Sequence, residues 1–215
     1  MSIIEHSNCR ACNGILEDIS DFGSFATVNF GDKEALEAPI WLMKCKQCNL
    51  VQLKHTLDRD SLFRQYYFRS NANAMMHDHL KEIAQEAATR IARSSDDYSI
   101  VVDIGANDGS LLSSLRDYFG WTLIGFEPSQ LANCKEQGIN AMIHDYFSAS
   151  KYEEWVDGEY TKDVAHVDSR ASLIFAIAMF YNLEDPNKFL EDVKAVLAPD
   201  GLFVLEMNYL PDMLR

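Results

Sequence analysis

The most constraining stretch of this chain is Val101-Val102-Asp103-Ile104-Gly105-Ala106-Asn107-Asp108-Gly109-Ser110-Leu111-Leu112. An apolar, strand-like run ends in Asp103, and a loop holding Gly105 and Gly109 follows. Leu111, Leu112, Leu115 and Phe119 then mark a helix. Glycines at a strand-to-helix turn let the backbone approach a ligand closely. Open α/β sheets bind ligands at this place, outside the carboxyl ends of their strands. The rest of the second half keeps the same rhythm. Ser99–Ile104, Trp121–Phe126, Ile139–His144, Ala171–Ile177 and Leu202–Glu206 are five apolar runs with helical patterns between them. Residues 129–137 read as a helix with Ser129 as N-cap and Gly138 as stop. A helix from Pro186, capped by Asp185, carries Phe189, Leu190, Val193, Val196 and Leu197 on one face. Pro199-Asp200-Gly201 reads as a turn, and the polar stretch 147–166 as holding a short helix at 151–156. Strands alternating with helices in this way imply a parallel sheet covered by helices on both faces.

Ahead of this core lies a segment of different character. Residues 1–55 show little helical periodicity, β-like stretches at Phe25–Phe30 and Ile40–Met43, and two Cys-x-x-Cys pairs, Cys9/Cys12 and Cys45/Cys48. Two such turns complete a tetrahedral sulfur site, which favours zinc over a dithiol redox couple or an iron–sulfur cluster. Sulfur would fill all four positions, so the metal is expected to be structural. Arg10, Lys44 and Lys46 flank the thiols and favour their deprotonated form. The fifth cysteine, Cys134, falls in an expected helix and reads as packed. Residues 58–93 turn helical, with Ala72, Met76, Ile83, Ala84, Ala87 and Ile91 on one face, and residues 94–97 form a polar break. The expected organisation is a zinc-binding domain over 1–57, a helical connector or lid over 58–95, and a core over 96–215. His55, His77 and His79 read as surface or satisfied histidines, the last two being off a shared helix face.

Composition narrows the function classes. The chain has 215 residues with 47% hydrophobic and 24% charged, so it is globular rather than disordered. Its net charge of −14 argues against nucleic acid or an anionic membrane as partner. The longest apolar run, within Ala171–Tyr181, is shorter than the roughly 20 residues a bilayer requires. The N-terminus lacks a secretory pattern, and the paired cysteines suit a reducing compartment, so a cytoplasmic location is expected.

The loop also indicates its ligand. A dinucleotide loop keeps a middle glycine to make room for a pyrophosphate. Here that position is Asn107, followed by the acidic Asp108, which favours a cation such as a sulfonium amino acid over a nicotinamide dinucleotide. Glu127 ends the second run about 20 residues after the loop, where a carboxylate can accept both hydroxyls of a ribose. Together these residues favour S-adenosylmethionine. The expected cofactor-binding set is Asp103, Gly105, Ala106, Asn107, Asp108, Gly109, Leu112, Glu127, Pro128 and Ser129.

With these features the chain resembles the class I S-adenosylmethionine-dependent methyltransferases, and more narrowly the bacterial sugar C-methyltransferases that carry an N-terminal four-cysteine zinc domain. Asp103 to Gly109 resembles that family's cofactor loop, including its Asn-Asp-Gly ending. Residues 65–70, Gln-Tyr-Tyr-Phe-Arg-Ser, resemble its stretch over cofactor and substrate. Residues 180–186 and 206–211 resemble its segments after the fourth and fifth strands. The resemblance implies a Rossmann-like core and carbon methylation of a nucleotide-linked keto-sugar, a small-molecule substrate. Carbon methylation needs a base beside a carbonyl, and the candidates are Tyr66, Tyr67 and Tyr181. Tyr181 lies about where many members have a histidine. The family's core has seven strands and a C-terminal substrate domain, against five runs here. A fragment of a longer protein or a truncated relative is therefore expected. The alternative is a non-catalytic, zinc-stapled module with a relic cofactor site. The oligomeric state stays unassigned.

Overall fold

The computed structural model describes residues 2–26, 37–64, 66–91, 99–118, 120–129, 138–160 and 169–214. The helix expected at 129–137, with Cys134, and the break at 94–97 lie outside these residues, apart from Ser129. The chain divides into two compact units, Met1–Tyr67 with Asn182–Lys188, and Phe68–Tyr181 with Phe189–Arg215.

The first unit is built from small sheets. Strands β2 (Leu16–Ala26), β3 (Glu37–Cys45) and β4 (Val51–Leu53) form an antiparallel sheet, and β1 (Ile3–Glu5) pairs with β5 (His55–Leu57). A short helix α1 (Arg59–Phe63) follows, with Asp58 as its N-cap accepting from the Ser61 N–H at 3.1 Å. Among the described residues, only Cys9, Gly14, Leu42, Met43, Cys45 and Gln52 are buried within residues 2–64. So few buried side chains supply little hydrophobic stabilisation.

The second unit carries the parallel sheet. Its strands are β6 (Ser99–Ile104), β7 (Trp121–Phe126), β8 (Ala141–Ile143), β9 (Ala171–Ile177) and β10 (Leu197–Glu206), in the order β10-β9-β6-β7-β8. Every neighbouring pair is parallel. All six residues of β6 are buried, because a central parallel strand is covered on both faces. That is why its sequence is a continuous apolar run rather than an alternating one. Around the sheet lie α2 (Ala74–Ile91), α3 (Ser110–Ser113), α4 (Ala149–Trp155), α5 (Pro186–Val196, whose first three residues belong to the first unit) and α6 (Leu210–Met213). One core cluster joins Leu80, Ala84 and Ala88 of α2 to Leu111, Leu112 and Leu115 and to Val101, Leu123, Leu173 and Phe175 of the sheet.

The helix after β6 and the turn at 199–201 differ from expectation. The helix marked by Leu111, Leu112 and Leu115 is regular only over Ser110–Ser113, and Phe119, its fourth marker, lies outside the described residues. The Ser113 and Ser114 hydroxyls donate back to the carbonyls of Ser110 and Leu111 (2.9 and 2.7 Å), and the chain continues in turns. The turn expected at 199–201 is instead absorbed into β10 as a register irregularity between Leu197 and Leu202.

Strand order reverses around β6, which has β7 on one side and β9 on the other. A crevice therefore opens at the carboxyl ends of β6 and β9. An aromatic chain braces this edge. Phe126 at the end of β7 meets Phe147 at 5.1 Å, Phe147 meets Phe189 of α5 at 5.9 Å, and Phe189 meets Phe180 at 5.8 Å, all edge to face. Leu112 is fully buried beneath the crevice. Leu112→Ala is expected to cost about 3 kcal/mol in urea unfolding followed by far-UV circular dichroism.

Candidate cofactor site and metal centre

The loop after β6 takes its shape from left-handed backbone at Gly105 (φ 78°), Asn107 (φ 51°) and Gly109 (φ 81°). Gly105 and Ala106 both donate their N–H to the Phe126 carbonyl, at 2.8 and 3.1 Å, which ties the loop to the end of β7. A side chain at Gly105 would meet Met179 at 3.4 Å and would be strained by the positive φ.

Glu127 is turned inward against this loop. One carboxylate oxygen accepts the Asn107 N–H at 2.9 Å and the other accepts the Ser129 N–H at 2.9 Å. Each oxygen keeps a further lone pair, enough to accept a hydroxyl apiece. Ser129 is buried, and its hydroxyl has no hydrogen-bond partner among the described residues. Pro128 is half-buried between Glu127 and Ser129, and Ala106 and Gly109 are buried.

Asn107 and Asp108 have a task the sequence did not reveal. Asn107 Oδ1 accepts the Ser70 N–H at 3.1 Å, and Asn107 Nδ2 donates to the Phe68 carbonyl at 2.9 Å. One Asp108 oxygen accepts from the Asn71 N–H (2.9 Å), and the other from the Ser110 N–H and hydroxyl (3.2 and 2.6 Å). The two side chains clamp residues 68–71 onto the loop, and Asp108 also holds Ser110, the first residue of α3. They are occupied by protein donors, so the cationic preference inferred from them has to come from elsewhere.

Asp103 supplies it. The residue is buried at the end of β6, and burial, with the charges of Glu127 and Asp108, pushes its carboxyl up to about 7. Three carboxylates thus converge on one loop, and a cation would relieve their repulsion. Leu112 sits in the hydrophobic core, where it supports the loop from beneath.

The exit of the fourth strand, β9, completes the rim. Ala178 adopts φ 55°, a left-handed conformation costing a side-chain-bearing residue about 1 kcal/mol. Its N–H donates to the Glu206 carbonyl at 3.0 Å, and the next residue, Met179, packs against Gly105. Glu206 also holds His79 Nε2 at 2.7 Å. Neither Ala178 nor Met179 stood out in the sequence, since an alanine carries no mark of left-handed backbone. Tyr181 follows in a short 3-10 turn and is partly exposed. Tyr66 and Tyr67 belong to the first unit, where Tyr66 packs edge to face on Phe63 at 5.9 Å and Tyr67 is exposed.

The first unit gathers all four paired cysteines, with every pair of Sγ atoms within 4.8 Å. Cys9 and Cys48 lie 3.7 Å apart and Cys12 and Cys45 3.4 Å. Zn–S bonds of about 2.3 Å in a tetrahedron place sulfurs about 3.8 Å apart, so the donor set fits zinc. The two turns are copies of one another. Asn13 N–H donates to Cys9 O (2.9 Å) and Asn49 N–H to Cys45 O (3.1 Å), and both asparagines are left-handed, at φ 59° and 62°. The Asn after each pair was the overlooked signal of this repeat. A Cβ on Gly14 would stand 2.3 Å from Gln47 Oε1 and 2.9 Å from Cys45 Sγ, so the turn needs its glycine. The N–H groups of Cys48 and Gln47 point at Cys45 Sγ and hold that thiol down to about 6.

The methyltransferase domain family matches residues 56–213. The C-methyltransferase NovU of Streptomyces niveus is 29% identical over 96% of this chain and 48% of its own length. A tRNA U34 carboxymethyltransferase of Campylobacter jejuni is 31% identical over 52% of this chain and 36% of its own. The chain thus spans half the length, or less, of these relatives. Among solved structures, the plantazolicin methyltransferase BpumL, in complex with a pentazolic desmethylPZN analogue and SAH, overlays with a TM-score of 0.48 at 14% identity, covering 67% of this chain and 52% of its own.

The pH dependence of Asp103 has a definite sign. Its carboxyl keeps a proton up to about 7 when folded but loses it near the ordinary aspartate value of 3.8 when unfolded, so stability falls as pH rises between the two. Asp103→Asn removes this loss. Its stability relative to wild type should improve by roughly 2–3 kcal/mol between pH 5 and pH 8, as measured by urea titrations at both pH values.

Proposed function

Because the chain belongs to the methyltransferase domain family, we propose that it binds S-adenosylmethionine in the crevice at the carboxyl end of β6 and serves carbon methylation of a nucleotide-linked keto-sugar. The observation that carries this reading is Glu127, whose carboxylate is anchored to the loop backbone at Asn107 while keeping lone pairs for a ribose diol. The unmatched Ser129 hydroxyl and the three converging carboxylates support it, the latter because the ligand is a cation at sulfur. The C-methyltransferase NovU, matched along nearly the whole chain, supports the carbon-methylation part. A small-molecule acceptor also fits the net charge of −14 better than a polynucleotide does.

The bound cofactor would supply a methyl group already activated on positively charged sulfur. The residues of the chain do the remaining work. Gly105 and Gly109 permit close backbone approach, and Glu127 orients the ribose. The loop and the clamped 68–71 strap limit the freedom of the reacting partners, which is where much of such a rate enhancement arises. Asp103 would give up its proton as the cation arrives, so affinity should rise between pH 6 and pH 8. Tyr181, at the exit of β9, together with Tyr66 and Tyr67, are the proposed acid–base groups for removing a proton beside a carbonyl. The four cysteines would hold a structural zinc, and their free thiols suit a reducing, cytoplasmic setting. Among the described residues, no helix is long and apolar enough to cross a membrane.

Calorimetric titration with S-adenosylhomocysteine tests the cofactor reading. Binding is expected for the wild type. Glu127→Ala should weaken it on the order of 100-fold, the loss of about 3 kcal/mol of charge-assisted hydrogen bonding. No heat with the wild type would point to a relic site. Radiolabelled methyl transfer to a keto-sugar nucleotide tests the substrate class. For the metal, Cys45→Ser is expected to abolish zinc binding by mass spectrometry and to unfold the first unit while leaving the parallel sheet largely intact.

A further inference from the structure

The first cysteine turn does more than present thiols. Within the first unit it grips residues 182–188, the segment that leaves the second unit after Tyr181 and rejoins it at Phe189. Arg10 Nη1 donates to the Leu183 carbonyl at 2.6 Å. Asn187 Nδ2 donates to the Ala11 carbonyl at 2.8 Å and lies 3.3 Å from that of Arg10. The Arg10 N–H is itself fixed by Oε1 of the buried Gln52 at 2.9 Å. Arg10 and Ala11 are the two residues between the sulfur donors Cys9 and Cys12. One four-residue turn therefore supplies two thiols on one side, and a donor and two acceptors on the other. At the equivalent place in the second turn, Lys46 pairs with Glu17 instead, at 3.7 Å. The grip is thus a property of the first turn and not of the repeat.

We propose that Arg10 and Asn187 are positioning residues through which metal loading of the four cysteines holds segment 182–188 and so fixes the chain on both sides of it. The proposal rests on the zinc reading above. The argument is geometric. A bound ion sets the spacing of Cys9 and Cys12 and thereby the direction of the carbonyls and side chain between them. Four thiolates around a divalent ion also leave a net negative charge beside the Arg10 guanidinium, which favours keeping that cation in place. The segment so held begins at the exit of β9, beside Tyr181, and ends at Phe189, a member of the aromatic chain bracing the crevice.

Hydrogen–deuterium exchange with mass spectrometry on the full chain tests this, with zinc content measured in every sample. The samples are zinc-loaded wild type, chelator-treated wild type, Arg10→Met, which keeps the aliphatic stem, and Asn187→Ala. Peptides covering 182–188 are expected to exchange at least tenfold faster after chelation and in zinc-loaded Arg10→Met, and several-fold faster in Asn187→Ala. Peptides of β6 should stay unchanged throughout. Unaltered exchange at 182–188 either on chelation or in zinc-loaded Arg10→Met overturns the proposal. A wild type that takes up no zinc overturns the zinc reading and this inference with it, whereas uptake without an exchange response overturns the inference alone.

Discussion

The hydrogen bond from the Asn107 N–H to the Glu127 carboxylate is the contact on which the crevice depends. It joins the middle of the loop after β6 to the first residue after β7. A second Glu127 oxygen takes the Ser129 N–H, so one buried carboxylate fixes the backbone on both sides of the gap. Backbone N–H donors are well suited to this, because they offset the desolvation of the carboxylate without bringing in a competing cation. Asn107 and Asp108 then hold the strap at 68–71 with their side chains. Strand exits, loop and strap form one hydrogen-bonded assembly, and its rigidity comes from many short contacts between elements distant in sequence.

Much of this was visible in the residues because parallel strands buried on both faces carry an unbroken apolar signature. Three of the five runs, Ser99–Ile104, Trp121–Phe126 and Ala171–Ile177, coincide with the observed strands β6, β7 and β9. These are the central strands, where burial leaves the least freedom. The edges are less well determined. Ile139–His144 pairs only over Ala141–Ile143, and β10 begins five residues before Leu202 because an irregular register carries the Pro-Asp-Gly turn along. The glycine loop and Glu127 were legible since their spacing follows from the strand-to-helix turn. The work of Asn107 and Asp108 was not, because their partners lie 37 residues away and no local pattern encodes a tertiary clamp. Ala178 was hidden for a related reason, its left-handed backbone being imposed by the join to Glu206.

The first unit answers a different constraint. With few buried side chains, its small sheets gain little from the hydrophobic effect, and units of this size commonly need a staple. The duplicated Cys-x-x-Cys-Asn turns fit that need. Each reverses the chain through a left-handed asparagine and turns two sulfurs toward a common point. Antiparallel pairing of β2 with β3 sets Leu16 opposite Cys45, so the sequence separation of the cysteine pairs costs little distance in space.

The proposed preference of the crevice for a cation would rest on its electrostatics, though not through the residues that first suggested it. Asn107 and Asp108 spend their polar atoms on the strap and on α3. Glu127 spends part of its capacity on backbone donors. Asp103 is the carboxyl left without such compensation, and its raised affinity for a proton is the measure of that deficit. A proton near neutral pH and a sulfonium ligand would be alternative ways of meeting the same need. An anionic pyrophosphate would meet three carboxylates and the side chain of Asn107 where a dinucleotide loop offers glycine and free N–H groups. Under the proposed function the acidic cluster would discriminate by repulsion as much as by attraction, which is how a shared strand–loop–helix scaffold can accept one nucleoside ligand and refuse another.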